Sequence, residues 1–181
     1  MKTNIRQSVF ETNSSSIHSI AVKRGTKDQG IEYVTKRDGA ISFNLGEFGW
    51  EAMKYTSIEK RASYLWTLAC SDTIKEANKR ERFIRETLNE VGIKCVFQPV
   101  VRKVYESGWE CCVAEQGDYF YIDHSDSWGD LTDKIFSDKD FLLDFLFGDS
   151  YVITYNDNDD YGDWLYAEDD GIDREEYDKY N

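Results

Sequence analysis

The chain has 181 residues, of which 40% are hydrophobic and 15% aromatic, and its formal net charge is −13. This length can bury one substantial hydrophobic core, and the composition excludes a chain that is disordered throughout. Since we find no secretory signal and no apolar run long enough to span a bilayer, we expect no membrane association and a reducing, cytoplasmic compartment.

The charge is divided unevenly along the sequence. Residues 1–103 carry 18 lysines and arginines against 12 aspartates and glutamates, whereas residues 104–181 carry 4 against 23. The acidic half is expected to repel nucleic acid and to attract the basic, nucleic-acid-binding surfaces of other proteins. We therefore expect no direct binding to duplex DNA.

The N-terminal stretch predicts a β-hairpin over residues 5–22. Two β-prone runs, 5–10 and 17–22, flank a polar run of Thr, Asn and Ser at 12–16. Such side chains bond their own backbone and favour turns. Because this loop also offers hydrogen-bond donors, its residues are candidates for contact with a partner: Asn13, Ser14, Ser15, Ser16 and His18.

The next part of the chain predicts a second hairpin and two helices. Residues 31–35 and 40–44 flank Asp38-Gly39, a dipeptide typical of tight hairpin turns. Capping-box patterns begin at Thr56 and at Thr73, and Gly92 is expected to end the second helix. The basic residues of that helix alternate with glutamates, which favours a solvated surface of ion pairs over a nucleic-acid site.

The remaining runs complete a predicted α+β fold with an antiparallel sheet and about three helices. Strands are expected at 93–98, 100–105, 109–114, 119–123 and 150–155, with a helix over 131–147. We predict a single domain over residues 1–155, including the N-terminal hairpin, followed by an acidic C-terminal extension over residues 156–181.

The C-terminal extension is acidic and also rich in aromatic residues. Residues 157–181 contain 11 acidic and 2 basic side chains, and also five residues that are tyrosine or tryptophan. A disordered acidic tail would carry few aromatic residues, so this segment is predicted to dock onto its own fold or a partner. Its candidate partner-binding residues are Asp157, Asp159, Asp160, Asp163, Trp164, Glu168, Asp169 and Asp170.

The run Phe10-Glu-Thr-Asn-Ser-Ser-Ser-Ile-His-Ser19 resembles the N-terminal signature of small proteins from phages and mobile elements of Gram-positive bacteria. The close match covers residues 6–19, and looser matches cover 121–125 and 150–158. Some proteins similar to these are anti-CRISPR inhibitors of type II-A systems. The resemblance implies a protein of the bacterial host cytoplasm that evades host defence by binding the RNA-guided DNA endonuclease or its guide-RNA complex.

Phosphate mimicry is the physical mechanism that the charge pattern favours for such an inhibitor. A type II effector nuclease holds guide RNA and target DNA in positively charged channels. Carboxylates on a folded scaffold can occupy the places that phosphates would fill, and interleaved aromatic side chains can stack on arginines. We therefore expect a non-enzymatic inhibitor that blocks the nuclease partly through its acidic segment.

An enzymatic alternative stays open. Ser14–Ser16, His18, Asp123 and His124 could support nucleophilic or general acid–base chemistry, as in a ribonuclease or phosphodiesterase acting on guide RNA. Neither histidine has the spacing of a known catalytic motif, so we favour a structural role for each. A third alternative is a phage accessory protein with another host target.

No cofactor is expected. The four cysteines, Cys70, Cys95, Cys111 and Cys112, lack zinc-ligand spacing and are predicted to be structural thiols. Residues 156–160 superficially resemble a calcium loop, but Tyr161 stands where an EF-hand needs glycine. A weak divalent-ion site at these carboxylates stays open.

Overall fold

The computed structural model describes residues 16–49, 52–108, 110–116, 120–123, 129–156 and 177–180. Within them the fold is α+β, as predicted, with five helices where about three were expected. In chain order the elements are β1 (Ser16–Val22), α1 (Lys27–Arg37), β2 (Ala40–Phe43), β3 (Glu47–Phe48), β4 (Met53–Tyr55), α2 (Ile58–Cys70), α3 (Ile74–Glu90), β5 (Lys94–Phe97), β6 (Val100–Val104), β7 (Glu110–Ala114), β8 (Tyr121–Ile122), α4 (Gly129–Ile135), α5 (Lys139–Phe147), β9 (Tyr151–Asn156) and β10 (Asp178–Tyr180).

The main sheet is antiparallel, with the strand order β10-β1-β9-β4. Three two-stranded pairs lie beside it: β2 with β5 and β3 with β8 are parallel, and β6 with β7 is antiparallel. Parallel neighbours cannot be joined by a tight turn, so each parallel pair joins segments distant in sequence. None of the helices in the described part of the chain is long and apolar enough to cross a membrane.

The core lies between the main sheet and helices α2 and α5. Helix α5 is buried at every residue from Phe141 to Phe147, and α2 contributes its largest side chain, Trp66. The Trp66 indole Nε1 donates a hydrogen bond to the carbonyl of Gln98 at 3.0 Å, so its polar atom is satisfied inside the core. These helices support the core face of the sheet and therefore position the strands described below.

The predicted hairpin at Asp38-Gly39 is wrong. Residues 31–35 belong to helix α1, and β2 pairs in parallel with β5. Gly39 adopts a φ of +60°, and its N–H donates to the carbonyl of Val34 at 2.9 Å. A glycine with positive φ closes a helix as readily as it forms a hairpin turn, because both need the left-handed conformation.

The structure bears on the predicted N-terminal hairpin only in its second arm. Its second arm is strand β1, and its first arm, residues 5–10, lies outside the described residues. At Ile20 and Ala21, β1 pairs with β9 on one edge and with β10 on the other. The described neighbours of β1 are therefore β9 and β10.

The two helices predicted from capping patterns were confirmed, whereas the prediction of a third helix was only partly right. Thr73 caps α3 and Gly92, with a φ of +76°, follows its end, whereas the cap of α2 is Ser57 rather than Thr56. The helix predicted over 131–147 is two helices, because the Asp138 carboxylate accepts the N–H of Phe141 at 3.0 Å and starts α5. The predicted ion pairs on α3 include Lys79–Glu76 and Arg85–Glu81.

Candidate functional site

His18 lies on the core-facing side of β1 and is only 3% exposed. Directly opposite it on β9 is Thr154, and opposite Thr154 on β4 is Met53. Cross-strand partners share one face of a sheet, so these three residues form a row across β1, β9 and β4. Ile20, two residues after His18 on the same face, belongs to the main core. His18 is therefore at the margin of the core, near one end of the sheet.

The parallel pair β3–β8 brings Gly49 and Asp123 to the same place. Phe48 pairs with Ile122, and the N–H of Asp123 donates to the carbonyl of Phe48 at 2.9 Å. A Cβ atom added to Gly49 would lie 2.6 Å from Cβ of Asp123 and 2.9 Å from Nε2 of His18. Both side chains thus press against the same glycine, whose φ of +122° is one that other residues rarely adopt.

Members of two runs that are far apart in sequence, His18 and Asp123, meet at this glycine. A member of a third run, Thr154, lies opposite His18 on β9. These residues belong to the stretches 6–19, 121–125 and 150–158, which carry the resemblance. At the same end of the sheet Ser16 pairs with Asn156. The arrangement brings two of the residues considered for catalysis, His18 and Asp123, to the same glycine.

Most of the other candidates lie outside the described residues. The backbone of Ser16 is in β1, but its side chain is not described. The following candidates fall entirely outside: Asn13, Ser14, Ser15, His124, Asp157, Asp159, Asp160, Asp163, Trp164, Glu168, Asp169 and Asp170. Residues 157–160 of the calcium-like run fall outside as well.

The burial of His18 limits what the site does chemically as it is folded here. A general acid or base must come within hydrogen-bonding distance of a substrate atom. The His18 side chain is covered, and Gly49 is among the residues that cover it. A substrate would reach the imidazole only after part of this cover moved. The described geometry fits a histidine that holds β1 against the ends of β3 and β8.

Arg61 is a buried charge that sequence reasoning missed. It lies on α2 and is 3% exposed, and its Nη1 donates to the carbonyls of Gly148 at 2.7 Å and Ser150 at 2.6 Å. Burial lowers the pKa of Arg61 to about 10, which still leaves the guanidinium charged at neutral pH. The two bonds fix the chain just before β9. The burial of this side chain could have been predicted from its position in the helix. Arg61 lies three residues after Ile58 and four before Leu65, which places it on the apolar face.

Both ends of the acidic segment are attached to the same strand. Strand β9 ends at Asn156, opposite Ser16, and β10 begins at Asp178, opposite Val22. Tyr177, next to β10, packs against Tyr151 with ring centroids 5.9 Å apart, and Lys23 Nζ lies 5.5 Å from the centroid of the Tyr177 ring. Residues 157–176, with ten acidic side chains and one arginine, therefore connect two anchored points on β1.

All four cysteines are free thiols, and Cys70, Cys95 and Cys112 lie in or beside the core. Burial raises the pKa of Cys95 and of Cys112 to about 11, and raises that of Cys70 further. Thiols with raised pKa values are poor nucleophiles and poor metal ligands at neutral pH. Among the described residues, no three His, Cys, Asp or Glu side chains are grouped so that they could hold a metal ion.

Comparison with known proteins gives no family for this chain. No protein-family model matches it, and no significant match was found among the curated proteins or the solved structures.

Proposed function

We propose that this protein is an anti-CRISPR inhibitor that binds a type II RNA-guided DNA endonuclease, or its guide-RNA complex, and blocks its activity. The acidic segment 157–176 meets a basic channel of the nuclease where nucleic-acid phosphates would lie. The stretch around residues 13–18 supplies a more specific contact. The resemblance over residues 6–19 supports this choice of partner, and the charge pattern supports this mode of binding.

The observation that carries the proposal is the attachment of the acidic segment at both ends. β9 and β10 both pair with β1, so the ten acidic side chains between them belong to a chain closed on a sheet, unlike a tail with one free end. Closing a segment reduces the conformational freedom that binding would otherwise have to remove. A closed acidic segment is therefore a better mimic of a phosphate backbone than an open one.

The test is co-elution on gel filtration with a type II-A effector nuclease loaded with guide RNA, together with inhibition of target-DNA cleavage. In the test variant, four acidic residues of the segment are changed to lysine: Asp157, Asp159, Asp160 and Asp163. The matched control places the same charge change on exposed glutamates elsewhere: Glu32, Glu47, Glu86 and Glu106.

We expect the control to bind and inhibit and the test variant to do neither. Binding of the unaltered protein should also weaken as the salt concentration rises, since exposed charges are screened. If the segment variant co-elutes and inhibits like the unaltered protein, binding through this segment is wrong.

A second candidate function is acid–base cleavage of guide RNA. The observation that favours it is the approach of His18 and Asp123 to the same glycine. An enzyme would shorten an excess of guide RNA on a denaturing gel, and His18→Ala or His124→Ala would abolish this cleavage. Intact RNA in a fully inhibited nuclease reaction would exclude this candidate and leave the binding inhibitor.

A further inference from the structure

The hairpin of β6 and β7 exposes apolar side chains to an unusual degree. Val101 is 41% exposed and Val104 is 54% exposed, and Tyr105, directly after β6, is exposed as well. Every residue of β6 except Val100 is exposed, whereas β7 buries Cys112 and Ala114. The hairpin therefore rests on the core through β7 and presents β6 to the outside.

The outer edge of β6 has no neighbouring strand among the described residues. β6 pairs with β7 alone, whereas β1 and β9 in the main sheet are paired on both edges. A strand with one unpaired edge offers a row of backbone N–H and C=O groups to another extended chain. Peptide recognition by addition of a strand uses such an edge for affinity and alternating side chains for specificity.

Two cations in the middle of β6 determine what kind of strand could pair with its outer edge. Arg102 Nε donates to the Glu110 carboxylate across the hairpin at 2.6 Å, and Lys103 Nζ lies 5.0 Å from the centroid of the Tyr105 ring. In an antiparallel pair of two β6 strands that spans their length, Arg102 of one copy would lie directly opposite Arg102 of the other, which is unfavourable. An acidic strand would instead place a carboxylate opposite each cation.

We propose that the outer edge of β6 binds an extended acidic segment of another protein as an added strand. Carboxylates of the partner pair with Arg102 and Lys103, and its apolar side chains cover Val101 and Val104. The inference is independent of the proposed function, because that function uses the acidic segment of this chain, whereas β6 carries two cations and no carboxylate.

The test uses a short fluorescent peptide that contains the run Val-Glu-Glu-Val, so that glutamates can lie opposite Arg102 and Lys103 and valines opposite Val101 and Val104. A second peptide has lysine in place of glutamate. Fluorescence anisotropy should show binding of the acidic peptide alone. Arg102→Glu with Lys103→Glu should weaken it about tenfold or more, as expected from two exposed charge pairs. The matched control, Lys60→Glu with Lys75→Glu, makes the same charge change in the first turns of α2 and α3 and should bind normally.

Amide hydrogen exchange separates strand addition from loose charge attraction. On adding the acidic peptide, exchange should slow at those β6 amides that do not face β7. Equal binding of both peptides, or binding without slowed exchange in β6, would overturn the proposal. So would concentration-dependent dimerisation lost in the Arg102→Glu, Lys103→Glu variant, since the occupant would then be a second copy of this chain. Circular dichroism of each variant verifies that it is folded.

Discussion

Nε2 of His18 and Cβ of Asp123 lie 2.9 Å and 2.6 Å from one point, the position that a Cβ atom of Gly49 would occupy. Both side chains therefore lie against Gly49, directly after β3, and this glycine is the point at which β1 approaches the end of β8. The approach depends on glycine for two separate reasons, its missing Cβ and its φ of +122°.

Gly49→Ala should therefore lower the free energy of unfolding by about 3 kcal/mol, the sum of backbone strain and overpacking. Urea denaturation measures the change. The matched control is Gly92→Ala, where φ is +76° but no atom lies within 4 Å of the added Cβ. That variant should lose only about 1 kcal/mol, from the backbone conformation alone. Equal losses in the two variants would show that His18 and Asp123 do not crowd Gly49.

Gly30→Ala should also be destabilising, although replacing a glycine inside a helix by alanine normally stabilises it by about 1 kcal/mol. A Cβ on Gly30 would enter the backbone carbonyl of Phe147, where α1 crosses the end of α5. Since backbone cannot move aside easily, we expect a loss of roughly 2 kcal/mol. Thermal unfolding checks the sign, and a stabilised variant would mean that the helices do not approach so closely.

Arg61→Met should cost about 3 kcal/mol of folding free energy, because it leaves the buried carbonyls of Gly148 and Ser150 without their charged donor. Arg61→Lys keeps a donor but not the planar guanidinium, so its loss should be smaller. Urea denaturation of the two variants gives this order. If methionine were tolerated as well as lysine, the hydrogen bonds to the start of β9 would carry no stability.

Stability should fall as the pH rises through about 9. Burial raises the pKa of Cys95 and Cys112 from 9.0 to about 11, and raises those of Cys70 and Tyr64 as well. In the unfolded chain the thiols lose protons near pH 9.0 while the folded protein retains them, so deprotonation favours unfolding. The lowered pKa of Arg61 acts in the opposite sense only above about pH 10.

The measurement is the urea midpoint between neutral pH and pH 10. For each protein, the decrease in midpoint between neutral pH and pH 10 is compared. This decrease should be smaller for Cys95→Ala than for the unaltered protein, because the variant lacks one titrating thiol. A midpoint that stays constant up to pH 10 would contradict the burial of these thiols.

The sequence predicted the elements whose signals are local. Thr73 and Gly92 mark the ends of α3 through side-chain and backbone preferences that need no distant partner. Asp38-Gly39 misled because the left-handed glycine serves a hairpin and a helix end equally well. The pairing of β2 with β5 determines which of the two forms, and its partners Ile41 and Cys95 are 54 residues apart in the sequence. Parallel pairing leaves no adjacent turn to recognise.

The candidate site was predictable in its residue types but not in its geometry. His18 and Asp123 were chosen from the sequence because each lies in a polar run, and the structure brings them together. Gly49 was not chosen, since its importance comes from the two side chains that press on it and these are far away in sequence. Arg61 was missed because an isolated arginine in an amphipathic helix is usually assigned to the solvated face.

The position of β10 affects how the acidic segment should be studied. Truncating the chain at Asn156 would remove the negative charges and also the strand that covers one edge of β1 at Ile20, Ala21 and Val22. Those three residues are fully buried, so a truncated protein would expose an apolar strand and tend to aggregate. Loss of inhibition on truncation would then report an insoluble protein rather than a missing contact.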